Sequence, residues 1–287
     1  MQQGKDMRRL LCLALAAGFA SPALAQSTAG SAPMPSAEDL AKRDTVTVGV
    51  GGAIVPDYEG SNDYRWIPAA AIRGKVGGIS FTSRSTYFYV DVVPHKGKLD
   101  FNAGPVIGAR FNGRRHIADP IVRLLPRTKT AIEAGGFVGV STHGLTNPYD
   151  TLAFRFDVLH DIAGAHRSTT FSPNVEFSTP LSRRTYASAN LGAEFVSNKY
   201  ADYYYSITPA GSLASGLPVF NASGGMKNWQ AGLLLNQSVT GDLLHGISVF
   251  GFGQYSRLVG DFKRSPIVSQ RGSAGQWLGA LGLAYTW

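Results

Sequence analysis

The chain has a single cysteine, Cys12, and that one falls in its first twenty residues. After the segment read below as a leader there is no disulfide, no thiolate nucleophile and no cysteine-based metal site to draw on, although the compartment implied is an oxidising one. No run of eighteen apolar residues follows the leader, which excludes membrane-spanning helices. Charge is scarce as well. Asp, Glu, Lys and Arg make up 16% of the chain, against ~25% in ordinary soluble domains. What is plentiful is Gly (34), Phe (15) and Tyr (12). A glycine- and aromatic-rich, weakly charged chain without long apolar runs has the bulk composition of a β-barrel.

At the start, Lys5, Arg8 and Arg9 precede the apolar run Leu10–Ala20, and Ser21-Pro22-Ala23-Leu24-Ala25 follows. A basic region, a short apolar region and an Ala-x-Ala site make a secretory signal peptide over residues 1–25, because eleven apolar residues are too few to span hydrocarbon. Cys12 lies inside the apolar region, not at its end where a lipoprotein acylation site needs it. Taking Lys5, Arg8, Arg9 and Asp6 out of 27 basic and 19 acidic residues leaves 24 against 18, a net of +6. For an exported chain this excess points to a polyanionic membrane surface and away from nucleic acid. Residues 26–44 are rich in Ser, Ala and Pro without any period, and read as a flexible periplasmic leader.

From Thr45 onward, segments alternate with a period of two. In Leu99–Asn112 the residues Leu99, Phe101, Ala103, Ile107 and Phe111 share one face, with Asp100, Asn102 and Arg110 on the other; Pro105 within it predicts a bulge. Thr130–His143, Thr151–His160, Thr170–Ser178, Thr185–Tyr200 and Asn228–Val239 repeat the pattern. No convincing helix lies between them. In a soluble sandwich the polar face carries many Lys and Glu. Here it carries small residues and isolated opposite charges, such as Glu133, Arg155, Asp157, Glu176 and Glu194, which suits a narrow polar lumen. Phe137, Phe250 and Phe252 are large inward candidates that favour a mostly filled interior. The last strand, Gln276–Trp287, alternates Trp277, Leu281, Leu283, Tyr285 and Trp287 with small residues. It ends on an aromatic, as the closing strand of a transmembrane barrel does at its interfacial girdle; Tyr285 and Trp287 form the C-terminal outer-membrane signal.

Connectors come in two lengths. Pro94–Lys98, Gly144–Tyr149, Pro180–Arg184 and Thr240–His245 are short; Gly113–Lys129, Ser206–Lys227 and Gly260–Gly275 are long. Short turns belong to the periplasmic side and long loops to the outside. With both ends periplasmic the strand number is even, so Ile79–Val93 splits around Arg84-Ser85-Thr86. The expectation is an all-β, antiparallel transmembrane barrel over residues 45–287 with twelve strands, ten being the alternative.

On these segments the chain resembles the outer-membrane family of the MltA-interacting protein and OmpV. Pro56-Asp57-Tyr58-Glu59-Gly60-Ser61-Asn62-Asp63-Tyr64 is similar to that family's first external loop, with Tyr58, Glu59 and Gly60 as its motif residues. Tyr255-Ser256-Arg257-Leu258-Val259-Gly260-Asp261 and Ser265-Pro266-Ile267-Val268 are similar to its last one, with Arg257, Asp261, Ser265 and Pro266. Tyr203-Tyr204-Tyr205-Ser206-Ile207 departs from the Tyr-Phe-Gly type expected there. The resemblance implies an outer-membrane scaffold that brings a murein lytic transglycosylase together with a murein synthase. Porin-like and adhesion-related members supply the alternatives of a narrow channel or a surface antigen.

Chemistry is thinly represented. His95, His116, His143, His160, His166 and His245 form no His-x-x-x-His or Glu-paired motif, and most fall at strand ends or in turns. The rival reading is a lipid-modifying hydrolase, for which His160 with Ser168 is the nearest imitation; the Gly-x-Ser-x-Gly elbow is absent. The expectation is no enzyme, no cofactor and no metal. One long connector concentrates positive charge in Arg114, Arg115, His116, Arg123, Arg127 and Lys129, a set suited to lipopolysaccharide phosphates.

Overall fold

The computed structural model describes residues 43–94, 97–114 and 117–287. The segments expected to be the signal peptide and, up to residue 42, the leader lie outside the described residues, as do His95, Arg115 and His116. Twelve antiparallel strands close into one barrel in simple sequence order. They are β1 (Thr45–Pro56), β2 (Tyr64–Val76), β3 (Ile79–Arg84), β4 (Tyr87–Asp91), β5 (Leu99–Arg110), β6 (Ala131–His143), β7 (Thr151–Asp161), β8 (Thr169–Pro180), β9 (Thr185–Val196), β10 (Gly225–Ser238), β11 (Gly246–Leu258) and β12 (Gly275–Thr286). The count is the expected twelve, and the split falls at Arg84-Ser85-Thr86.

The alternation does what a barrel in lipid requires. On β12, Trp277, Leu281 and Leu283 are 48%, 64% and 55% exposed on the outside, while Gln276, Ala284 and Thr286 are buried inside. Closure comes from β1 pairing with β12 from Thr47–Thr286 to Ile54–Gly279, and the Trp287 N–H bonds the Val46 carbonyl at 2.9 Å. Two aromatic girdles mark the interfaces. Trp229, Tyr255 and Trp277 touch in series at 5.5 and 5.0 Å on the external side, and Tyr285 and Trp287 meet at 4.8 Å on the periplasmic side.

Periplasmic turns are short. In the one before β7, Asp150 accepts the N–H groups of Leu145, Thr146 and Asn147 and the Thr146 hydroxyl. That hydroxyl bond, with the backbone donors, holds its carboxyl below the usual range. The bulge expected at Pro105 is not formed. Tyr89 faces Val106 and, in the same register, the Val92 N–H bonds the Ala103 carbonyl at 3.0 Å. No residue is inserted; proline only removes a donor.

The external connectors correct the expectation that no helices occur. They hold α1 (Asn198–Tyr205), α2 (Pro209–Ser215), α3 (Gly260–Arg264), α4 (Pro266–Ser269) and a 3-10 turn at Val122–Leu124. The strand expected to run to Tyr200 ends at Val196, and the tyrosine-rich stretch becomes α1 because Tyr200, Ala201, Tyr204 and Tyr205 are buried together. They pack with Leu258 at the end of β11 and with Phe262 and Val268 from the last external connector. A second apolar cluster joins Tyr58, Val122, Leu125, Ile207, Leu217 and Ile267. Four connectors thus fold inward on one another and form a cap over the external mouth.

Candidate functional site

Beneath that cap lies a buried polar network that ties strand ends to connectors. Glu59, in the connector between β1 and β2, pairs with the Lys227 ammonium at the start of β10. Lys227 also pairs with Glu194 of β9 at 2.5 Å, and its own side chain is 0% exposed. From Glu194 the network passes to Arg110 of β5, whose Nη2 donates at 2.8 Å. Arg110 grips Glu133 of β6 with two donors, Nε at 3.0 Å and Nη2 at 3.1 Å, the fork geometry in which a guanidinium holds a carboxylate most firmly. Tyr87 of β4 donates to Glu133 as well.

The cap reaches down into this network. Tyr200 and Tyr205 of α1 each donate to Glu59 at 3.0 Å, and Asn112 adds a third donor at 3.1 Å. Arg110 and Lys227 both lie over the Tyr200 ring, at 5.3 and 5.2 Å from its centroid, so that ring sits between two cations. Burial by itself raises the pKa of Glu59; Lys227 and Arg110 outweigh it and hold the carboxyl below its ordinary value. Burial pushes the Tyr200 and Tyr205 hydroxyls well above theirs. Both remain donors, which a carboxylate held ionised requires.

A further arm runs through His166 in the connector between β7 and β8. Its Nε2 is 2.9 Å from Glu133 Oε1 and its Nδ1 is 2.7 Å from Ser168 Oγ. With Nε2 donating to the carboxylate, Nδ1 accepts from the serine. The order serine, histidine, glutamate imitates a catalytic relay. However, Ser168 is 5% exposed and the His166 ring lies under Tyr200 and Tyr204, at 5.0 and 5.8 Å. The pair named from sequence is not formed: His160 Nδ1 meets Thr169 instead, at 3.0 Å. His143 and His245 lie near the periplasmic ends of their strands, beside Asp100 and Tyr285.

The first and last family-type stretches come together here. The Gly60 N–H bonds Gln276 Oε1 at 2.9 Å, Ser61 bridges to Gly272, and the Tyr58 hydroxyl donates to the Ile267 carbonyl at 3.3 Å. Gly60 sits at φ 101° with its missing Cβ only 2.5 Å from the Val268 side chain, so glycine is required by both backbone and space. Ser265 is fully buried and donates to the Tyr205 carbonyl at 2.6 Å; Pro266 opens α4. Asp261 accepts the Ser223 N–H at 2.9 Å and pairs with Arg264. Arg257 stands apart, exposed on the outer face.

The proposed lipopolysaccharide set divides. Arg114 is turned inward, 6% exposed, and donates to the Tyr204 carbonyl; its place under the cap removes it from any surface set. Arg123, Arg127 and Lys129 are exposed. Lys227 is the member that sequence reading missed, and His166 was named there without its partners Glu133 and Ser168. Lys227 looked like a loop residue, and the one available signal was a lone cation beside a strand whose neighbours carry unpaired carboxylates.

Deeper in the lumen, charge crosses the barrel. Arg84 of β3 pairs with Glu176 of β8, and the Arg73 guanidinium of β2 lies 5.5 Å from the Tyr186 ring centroid of β9. On the β4–β7 side, Tyr89, Val106, Phe137 and Leu159 pack together, with the Tyr89 hydroxyl donating to Asp157 at 2.9 Å. Among the described residues no cluster of three or more His, Cys, Asp or Glu side chains is placed to hold a metal.

Comparison with known proteins places the family. The family model described as "MltA-interacting protein MipA" matches residues 48–287. No curated protein matches the chain. Among solved structures, the anion-selective porin from Comamonas acidovorans is 12% identical, with 86% of this chain and 78% of that chain covered and a TM-score of 0.34. The translocator domain of the autotransporter NalP from Neisseria meningitidis is 14% identical over 87% and 91%, TM-score 0.36. In-vitro folded OmpT of Vibrio cholerae is 8% identical over 85% and 98%, TM-score 0.37. Likenesses this remote say nothing of function.

Proposed function

We propose, from the premise that the chain belongs to the MltA-interacting protein MipA family, that this outer-membrane barrel is a non-enzymatic scaffold. In this reading it holds a murein lytic transglycosylase and a murein synthase together at the inner face of the outer membrane. The family's own description supplies the first partner. The observation that carries the scaffold over the channel reading is the cap: Glu59, Lys227, Glu194, Arg110 and Glu133 join four strands and one external connector across the mouth, with Lys227 and Glu133 side chains fully buried. A mouth braced by ion pairs under two apolar clusters does not suit free diffusion of solutes. The absence of catalysis is proposed on the same geometry, since Ser168 is buried, its partner His166 lies under Tyr200 and Tyr204 of α1, and Glu133 is already saturated by Arg110, Tyr87 and His166.

The test is retention of murein enzymes from a detergent-solubilised envelope extract on the immobilised mature protein. The expected result is co-retention of a lytic transglycosylase and a synthase above the level held by an unrelated barrel. Retention of neither, together with steady single-channel conductance in planar bilayers, moves the assignment to the channel reading. A change in lipid A mass on adding the protein establishes an enzyme instead.

A further inference from the structure

β2 is treated differently along its two edges. Toward β1 it pairs from Tyr64 to Lys75. Toward β3 it pairs only from Arg73 to Val76. The cause is the length of the next two strands: β3 has six residues and β4 five, whereas every other strand has at least eleven. Among the described residues no strand lies opposite Tyr64–Ala71 on that side, and the wall carries a notch whose floor is the Arg84–Tyr87 hairpin end.

Ile72 fixes which backbone groups face the notch. Its N–H donates to the Ser83 hydroxyl of β3 at 2.8 Å, and its carbonyl accepts from the same hydroxyl at 3.2 Å. Alternate residues of a strand aim their backbone groups the same way, so Ala70, Pro68 and Trp66 present theirs to the notch. Pro68 has a carbonyl but no N–H, the usual guard on an edge. Trp66, 70% exposed, has the outward placing of a residue at the external interface. Pro68 and Ala70 lie roughly 7 and 13 Å further along the strand toward the periplasm, within the hydrocarbon. An open edge at that depth is tolerated only where polar matter reaches it.

Between the cations Arg65 and Arg73 of β2, and beside Arg84 at the hairpin end, the notch is backed by uncharged side chains. The inward residues there are Ile67, Ala69 and Ala71 on β2, paired with Ala53, Gly51 and Gly49 on β1. Ala71 faces inward and is nevertheless exposed, so there is free space beside it. On the far side of β12, Phe252 is paired with Ala280; Phe250 lies flat against Gly49 and Gly282, where a Cβ would meet its ring at 3.0 and 2.7 Å. The inner faces of β9 to β12 and of β1, below Glu194 and Lys227, carry no Asp, Glu, Lys or Arg.

We propose that the notch is a lateral portal between the outer leaflet and the uncharged side of the lumen, and that it takes a small apolar molecule with one or two uncharged hydrogen-bonding groups. An apolar body suits both the lipid and the neutral wall. The polar groups meet the Ala70 N–H and the carbonyls of Ala70 and Pro68, which have no hydrogen-bond partner among the described residues. An added peptide strand loses a ladder bond at Pro68. The cap closes the alternative route from outside.

The test uses the full mature chain in lipid nanodiscs and the probe 1-N-phenylnaphthylamine, an apolar amine with one N–H whose fluorescence rises in apolar sites. The expected result is a saturable component above empty nanodiscs, weakened at least fivefold by Ala71→Trp. A second measurement stands whether or not that variant folds. Ala71→Cys, in a mature chain produced from Gln26 onward and so without Cys12, the single native cysteine, should react faster with an uncharged maleimide dissolved in the lipid than with a charged, water-soluble methanethiosulfonate. Absence of a saturable component in the unsubstituted protein, or labelling of Ala71→Cys by the charged reagent alone, overturns the portal.

Discussion

The two arcs of the inner wall obey one alternation and are built from different chemistry. From β3 to β8 the inward positions include Arg84, Asp157, Arg155 and Glu176, and each of these finds a partner: Arg84 reaches across the barrel to Glu176, and Arg155 bonds Asp157 at 2.8 Å. Below Glu194 and Lys227, the inward positions from β9 round to β1 are amides, hydroxyls, small or aliphatic residues and the rings of Phe250 and Phe252, with Gln254 donating to Gln230 at 3.3 Å. A buried charge is tolerable only when paired, so the charged arc must fill the lumen with cross-braces. The neutral arc has no such obligation and can stay thin, letting a ring lie on glycine. The difference separates the part of the interior that holds shape from the part left free to meet a ligand.

That contrast can be broken at its strongest point first. Lys227→Met leaves Glu59 and Glu194 buried without their shared cation, and breaking such a pair costs about 3–5 kcal/mol. The expected result is a lower unfolding midpoint of the refolded barrel, followed by the mobility difference between heated and unheated samples on gels. On the neutral arc, Gly282→Val places a Cβ 2.4 Å from the Val50 carbonyl and 2.7 Å from the Phe250 ring. Overpacking of this kind costs about 1–3 kcal/mol, and the same gel series should rank it below Lys227→Met. A reversed order undoes the claim that the ion pairs under the cap hold the barrel more firmly than the packing of the neutral arc.

Acid sharpens the comparison. The Glu59 carboxyl has a folded pKa below its unfolded value, so its contribution is fully present above the ordinary carboxylate pKa and is lost as pH falls through the lowered, folded one. The cap should therefore loosen at acid pH below roughly 4, read as faster proteolysis of the external connectors by an acid-stable protease. Glu59→Gln should remove that acid limb, and a barrel equally resistant at pH 3 and pH 7 contradicts it. The smallest effect belongs to the exposed cations. Replacing Arg123, Arg127 and Lys129 together by serine should leave the unfolding midpoint unchanged and reduce lipopolysaccharide co-purification; unchanged co-purification disposes of that contact.

Much of the barrel was legible because lipid enforces a period of two on every strand that crosses it. Alternation from Thr45 to Trp287, parity, and the split at Arg84-Ser85-Thr86 together yielded twelve strands. The cap was not legible. Tyr200 to Tyr205 have good strand character and become α1 only because they fall outside lipid and can bury against Phe262 and Val268. Glu59 and Lys227 are 168 residues apart, and no local signal joins them. Glu133 and Glu194 could be read as inward charges, but not that one guanidinium, Arg110, serves both.

The sequence by itself determined that this chain crosses an outer membrane with strands, which residues face lipid, and which end of the barrel carries the long connectors. These are one-dimensional properties, written in side-chain alternation and segment length. Only the tertiary structure decided that the mouth is capped, that the lumen has a charged and a neutral arc, and that β2 stands open beside a short hairpin. Each depends on which residues closure brings face to face across the barrel, a relation of partners distant in the chain that periodicity does not encode.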